Sequence, residues 1–71
     1  MNNIIIGGRL KFDYTNWKGK KATREIIVEC VEYGFTEFHE QSQWLLRGFC
    51  LEKNETRSFA MRDITNIRNI R

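Results

Sequence analysis

Three groups of residues in this chain have side chains able to do chemistry, and the densest is Trp17, Lys18, Lys20 and Lys21, gathered within five positions. Ammonium groups neutralise phosphates and an exposed aromatic face stacks on bases, which is the composition of a nucleic-acid-binding loop. The same four residues make an ordinary soluble hairpin tip, and both readings stand. The second group is His39, Cys30 and Cys50. His39 is the single histidine, and the two cysteines lack the close Cys-x-x-Cys spacing that structural zinc favours, so no metal site is expected. Both cysteines fall among apolar neighbours, where a thiol behaves as a small hydrophobe rather than an activated nucleophile. No glycine-rich phosphate loop is present either, so neither enzyme chemistry nor a cofactor is expected. The arginines are the third group, because a planar guanidinium takes phosphate bidentately.

Charge is unevenly spread. The net charge is +3, yet residues 9–24 carry six basic groups against Asp13, and residues 25–40 carry five carboxylates with no Lys or Arg. The remainder, 41–71, returns to a surplus of three positive charges. One basic and one acidic surface suit an anionic partner or head-to-tail self-association; a solvated surface with no partner is the plain alternative.

The elements that must hold these groups are organised around Gln43 to Glu52. Trp44, Leu46 and Cys50 fall on one face of an extended segment and Leu45, Phe49 and Leu51 on the other, so this strand needs neighbours on both sides. Gly48 marks the place for a bulge or bend. Ile4–Ile6 is expected as a short strand ended by Gly7-Gly8. Arg9–Tyr14 alternates strictly, with Leu10, Phe12 and Tyr14 inward, and Asn16–Gly19 reads as a hairpin turn with Trp17 exposed at its tip. Thr23–Tyr33 has apolar residues at helical spacing but many β-branched side chains, and is read as a strand with Ile26, Val28 and Cys30 inward. Gly34 should break it, with Phe35–Phe38 a further short strand, and His39–Ser42 should turn into the central strand. Lys53–Glu55 reads as the next turn, followed by a strand over Thr56–Met61 with Arg57, Phe59 and Met61 on one face. Ile64, Ile67 and Ile70 then recur every three residues, which fits a 3₁₀ or helical turn begun at Asp63 and a closing strand.

Five or six short antiparallel strands make a small all-β barrel, in one domain spanning 1–71. A chain of 71 residues buries only about 60% of its unfolded surface, so oligomerisation is an expected supplement to stability. No signal segment and no run near the ~20 apolar residues of a membrane span occurs, so a reducing, cytoplasmic setting without membrane partners is expected.

Phe12-Asp-Tyr14, Lys18-Gly-Lys20, Arg24, Gln43-Trp-Leu-Leu-Arg-Gly-Phe49, Arg57-Ser-Phe59 and Asp63-Ile64 together resemble the WYL domain family over roughly residues 10–65. The short, stand-alone form found in phage and prophage genomes is the most similar, through Thr36-Glu-Phe-His39 before Gln43-Trp-Leu-Leu. Leu45 stands where the family name has tyrosine, Val28 where proline is usual and Asp63 where larger members carry arginine. The resemblance implies an SH3-like, Sm-like barrel that binds nucleotides, nucleic acid or other anions, with Tyr14, Arg24, His39, Trp44 and Arg57 as ligand-binding positions. For Trp44 a core position is the favoured alternative. Trp17, Lys18, Lys20 and Lys21 are the nucleic-acid-binding candidates. The leading expectation is therefore a non-enzymatic module for a nucleotide or single-stranded nucleic acid in a bacterial, phage-encoded setting. The alternatives are a phage counter-defence protein that sequesters a nucleotide signal or blocks a host protein, and a structural adaptor that acts through protein contacts.

Overall fold

In the computed structural model, which describes residues 4–36 and 39–70 (side chains for 4–35 and 41–70), five antiparallel strands form one sheet. They are β1 (Arg9–Thr15), β2 (Lys21–Thr36), β3 (His39–Cys50), β4 (Glu55–Ala60) and β5 (Ile64–Ile70), with a 3₁₀ turn over Met61–Asp63 before β5. Their order is β4-β3-β2-β1-β5, so the chain meanders through four strands and the fifth returns beside the first. The protein is all-β, as expected. The expected closure is absent, since no ladder joins β4 to β5 among the described residues.

The alternation in β1 sets the core. Leu10 and Phe12 are fully buried and Tyr14 nearly so, and Ile26, Val28, Leu46, Cys50 and Phe59 complete the cluster from the next three strands. Phe12, Tyr14 and Phe59 meet edge to face, with Phe59 centred 5.1 Å from Phe12 and 5.0 Å from Tyr14. Such aromatic pairs add about 0.5–1.5 kcal/mol each beyond the area they bury. The Tyr14 hydroxyl accepts a hydrogen bond from the Ala60 N–H at 3.1 Å, which links β1 to the end of β4, strands that make no ladder with each other.

The hairpin into β2 follows its sequence signals. The Asn16 side-chain carbonyl accepts from the Lys18 and Lys20 N–H groups at 2.9 Å each, and Gly19 supplies the φ of 82° that a residue with a side chain resists. β2 is a strand, with Ile26 and Val28 inward as expected. Cys30 is only half-buried, because the register shifts between Val28 and Cys30. That irregularity lies on β2, across from Gly48 rather than at it. A Cβ on Gly48 would sit 2.6 Å from the Ile27 carbonyl oxygen and 2.7 Å from Ile26 Cδ1, so the glycine is needed for close approach of β2 and β3.

Several boundaries differ from expectation. Ile4–Ile6 is no strand: the Gly8 N–H bonds back to the Ile5 carbonyl at 2.9 Å in a tight turn with Gly7 at φ 82°, and only Gly7 and Gly8 bond across to Val28. Gly34 does not break β2, which runs on to Thr36, because Gly34 is held in register opposite Gln43. Residues 37–38 of the expected Phe35–Phe38 strand lie outside the described residues. His39–Ser42 is no turn but the start of β3, Thr36 pairing with His39. The next turn spans residues 51–54, with Asn54 at positive φ; Glu55 already belongs to β4, and Met61 has left the strand for the 3₁₀ turn. That turn ends at Asp63 instead of beginning there. The threefold spacing of Ile64 and Ile67 survives inside a strand because β5 is irregular at Asn66 (φ 53°), which brings both isoleucines against the core; Ile70 pairs with exposed Arg9 instead.

Gly48→Ala should destabilise the chain by about 1–3 kcal/mol, the usual cost of forcing atoms into a filled interior, measured by denaturant unfolding; an unchanged midpoint would show that the two strands can separate freely. A second outcome concerns Asp13, whose carboxylate accepts from Thr23 Oγ1 at 2.9 Å and Asn66 Nδ2 at 2.8 Å. The Asn66 bond, then the Thr23 bond, hold its pKa below the ordinary 3.8. A depressed carboxylate stabilises the fold above its unfolded value and loses that contribution as pH falls through the folded one. Unfolding followed below pH 4 should therefore show an acid-labile component that is missing in Asp13→Asn.

Candidate functional site

Arg24 and Arg57 occupy register positions that point at the core. Arg24 is opposite Phe12 on β1, and Arg57 is opposite Gly48 on β3 and two residues before buried Phe59. A guanidinium at an inward position is tolerable only where its head can reach water past an apolar stem. Both stand at the open end of the sheet, beside the β1–β2 loop. There Tyr14, Asn16, Trp17, Arg24, Arg57, Ser58 and Phe59 line a cleft of about 140 Å³.

Each wall has a distinct role. Phe59 and the Tyr14 ring form an apolar floor continuous with the core, and Trp17, 65% exposed, stands at the rim. The Arg24 side chain is only 16% exposed and that of Arg57 is 40% exposed. Their nearest carboxylates are Glu52, 3.7 Å from Arg24, and Glu55, 4.0 Å from Arg57, both well exposed and beyond hydrogen-bonding length. Ion pairs of this kind contribute at most about 1 kcal/mol, so neither guanidinium is committed to its carboxylate. Burial pushes the Tyr14 phenol above its ordinary 10.0, only partly offset by the bond from Ala60, which keeps it a neutral hydroxyl at physiological pH.

Of the sequence candidates, Tyr14, Arg24, Arg57 and Trp17 therefore come together. Lys18, Lys20 and Lys21 do not line the cleft but stand beside it on the loop and the start of β2, all exposed, with the Lys18 ammonium 5.1 Å above the Trp17 ring. The His39 side chain lies outside the described residues. Trp44 is neither core nor cleft: it is 57% exposed and packs edge-on against Tyr33, its centroid 5.3 Å away. Its strand leaves the five-stranded region before reaching it, so no third strand covers that position. Sequence reasoning missed Asn16 and Ser58 as lining residues. The Asn16 side chain signalled only a turn, and Ser58 is adjacent to Arg57 without alternating into the core. Cys30 and Cys50 are free thiols with no bearing on the cleft.

Among the described residues no helix is long and apolar enough to cross a membrane. Comparison with protein-family models and with curated protein sequences finds no match.

Tyr14→Phe keeps the ring packing but leaves the buried Ala60 N–H without its acceptor, which should cost about 1–3 kcal/mol of stability in denaturant unfolding. The intact phenol's contribution is complete below pH 10 and is lost as pH rises toward its raised folded value. A variant as stable as the parent at neutral pH would mean that water replaces the hydroxyl without loss.

Proposed function

We propose that this chain is a non-enzymatic binding module of the WYL type that takes an anionic ligand, a nucleotide or a single-stranded nucleic acid, in the cleft between Tyr14, Arg24 and Arg57. The observation that carries the reading is the convergence of two weakly engaged guanidiniums and an exposed tryptophan, from β2, β4 and the β1–β2 loop, on one apolar-floored cleft. Phosphate oxygens would be taken by the two guanidinium forks, with a base against the Trp17 ring. Lys18, Lys20 and Lys21 raise the local positive potential and draw the anion in. The cleft is small and open at the rim, which suits one nucleotide unit or successive units of a single strand rather than a large enclosed cofactor.

Fluorescence anisotropy with labelled oligonucleotides and competition by a nucleotide panel, at low salt, tests the reading directly. Binding should weaken as salt rises, and absence of binding to every probe would overturn the proposal. Arg57→Ala should weaken binding by about 1.5–3 kcal/mol, the range for hydrogen bonds to charged groups, and Arg57→Lys should restore it only in part because a point charge lacks the fork. Melting temperatures recorded beside the affinities separate a ligand contact from a fold contact: lower stability with unchanged affinity per folded molecule would remove Arg57 from the site. Glu52→Gln and Glu55→Gln, which remove the competing carboxylates, should each tighten binding slightly.

A further inference from the structure

The β2–β3 hairpin outruns the rest of the sheet. β1 pairs with β2 no further than Ile27, Gly7 and Gly8 add bonds to Val28, and β4 pairs with β3 no further than Leu45. Beyond that, among the described residues, two strands continue alone as an arm out to Thr36 and back from His39. Register sorts the arm's side chains onto two faces. Val31 is opposite Leu46 and Tyr33 opposite Trp44, so these four share the core face, and the period of two adds Phe35 and Ser42. Leu46 is fully buried, whereas Val31 is 38% exposed and Tyr33, Phe35 and Trp44 are between 57% and 70% exposed. The core face thus runs on into solvent with no layer beneath it.

The charged side chains of the arm belong to the other face. Glu32 is opposite Leu45, and Arg47, between Leu46 and Gly48, meets Glu29 at 3.7 Å and Glu32 at 4.0 Å. Among the described residues the aromatic row itself carries no charge, so it selects neither an anion nor a cation, and its occupant is apolar. Three aromatic side chains of about 150–250 Å² each, more than half exposed, leave about 400 Å² of apolar surface once Val31 is included. Interfaces are about 56–65% apolar, so a patch of that size is the apolar part of about 600–700 Å² per copy. Doubled by an identical partner, that area falls within the about 1,200–2,000 Å² of a specific interface. A bilayer fits less well, because residues 25–40 carry five carboxylates and no Lys or Arg, which anionic headgroups repel.

We propose that two copies of this chain pair through this face, the arm of each laid across the arm of the other about a two-fold axis. A charge-free row meets its own image without like-charge repulsion, which makes the contact isologous and closed at two. Each arm then supplies the layer that the other's core face lacks, at the about 10 Å spacing of packed sheets. A chain of 71 residues, with little core of its own, gains most from such a layer. The contact leaves the cleft beside the start of β2 unused.

Light scattering and thermal melting of the full chain test it. The mass should pass from one chain to two as concentration rises and stay at two in high salt, since apolar contact is not screened. The melting temperature should rise over the same range. In Trp17→Phe, which leaves Trp44 as the sole tryptophan, emission should shift to the blue as the mass doubles. Tyr33→Asp, which places a charge in the row, should be monomeric with a melting temperature independent of concentration. Glu32→Gln, on the other face, should still pair. Should Tyr33→Asp fail to fold, Phe35→Asp, further out along the arm, carries the same test. A parent chain monomeric at every concentration, a mass that grows beyond two chains, a pair that survives the charge in the row, or unchanged Trp44 emission would each overturn the proposal. So would a monomer that sediments with phosphatidylcholine vesicles, which would give the face to lipid.

Discussion

The contact on which the structure depends is the meeting of Tyr14 with the end of β4. β1 and β4 share no ladder, and β4 and β5 leave the barrel open, so the curl of the sheet is held by side chains rather than by a last row of backbone bonds. The Tyr14 ring packs edge-on against Phe59 while its hydroxyl satisfies the Ala60 N–H. Apolar packing pulls the two strands together, and the hydrogen bond fixes how far they slide. In a chain this small, one such link is a large part of what distinguishes a curled sheet from a flat one.

The same residue makes the cleft possible. Because Tyr14 holds β4 over β1, the inward positions at the open end cannot be filled by another layer of core, and they are occupied by Arg24 and Arg57. Charged groups at inward positions cost stability unless their heads reach water, and the open end provides that. The position of the cleft is therefore a consequence of where packing stops. The arm has the opposite origin: there the strands extend beyond their neighbours, and apolar side chains that alternation assigns to the core side have no core beneath them.

Much of the core was legible in the residues themselves. Strict alternation from Arg9 to Tyr14 identifies which side chains turn inward, and Asn16 and Gly19 specify the hairpin through a side-chain acceptor and a positive φ. The inward register of Arg57 was legible for the same reason, since period-two spacing puts it on the face of Phe59. Those features are local, and local chemistry determines them.

What the residues could not reveal depends on the lengths of neighbouring strands. Alternation places Trp44 on the face of Leu46 correctly, but burial at that position requires a third strand, and β4 ends one pair too early. Gly34 and His39–Ser42 resemble breaks in isolation and become strand only because each is held by a partner across the hairpin. Ile64 and Ile67 suggest a helical period until the irregularity at Asn66 accounts for the extra residue. Gly48 marked a bend in the sequence, yet its function is to let the Ile27 carbonyl approach, a distance that exists only after β2 and β3 pair. Sequence by itself determined which faces are apolar and where the Asn16–Gly19 hairpin turns; tertiary pairing decided which of those faces are covered and which apparent breaks are strand, because burial and pairing belong to the neighbours of a residue and not to the residue.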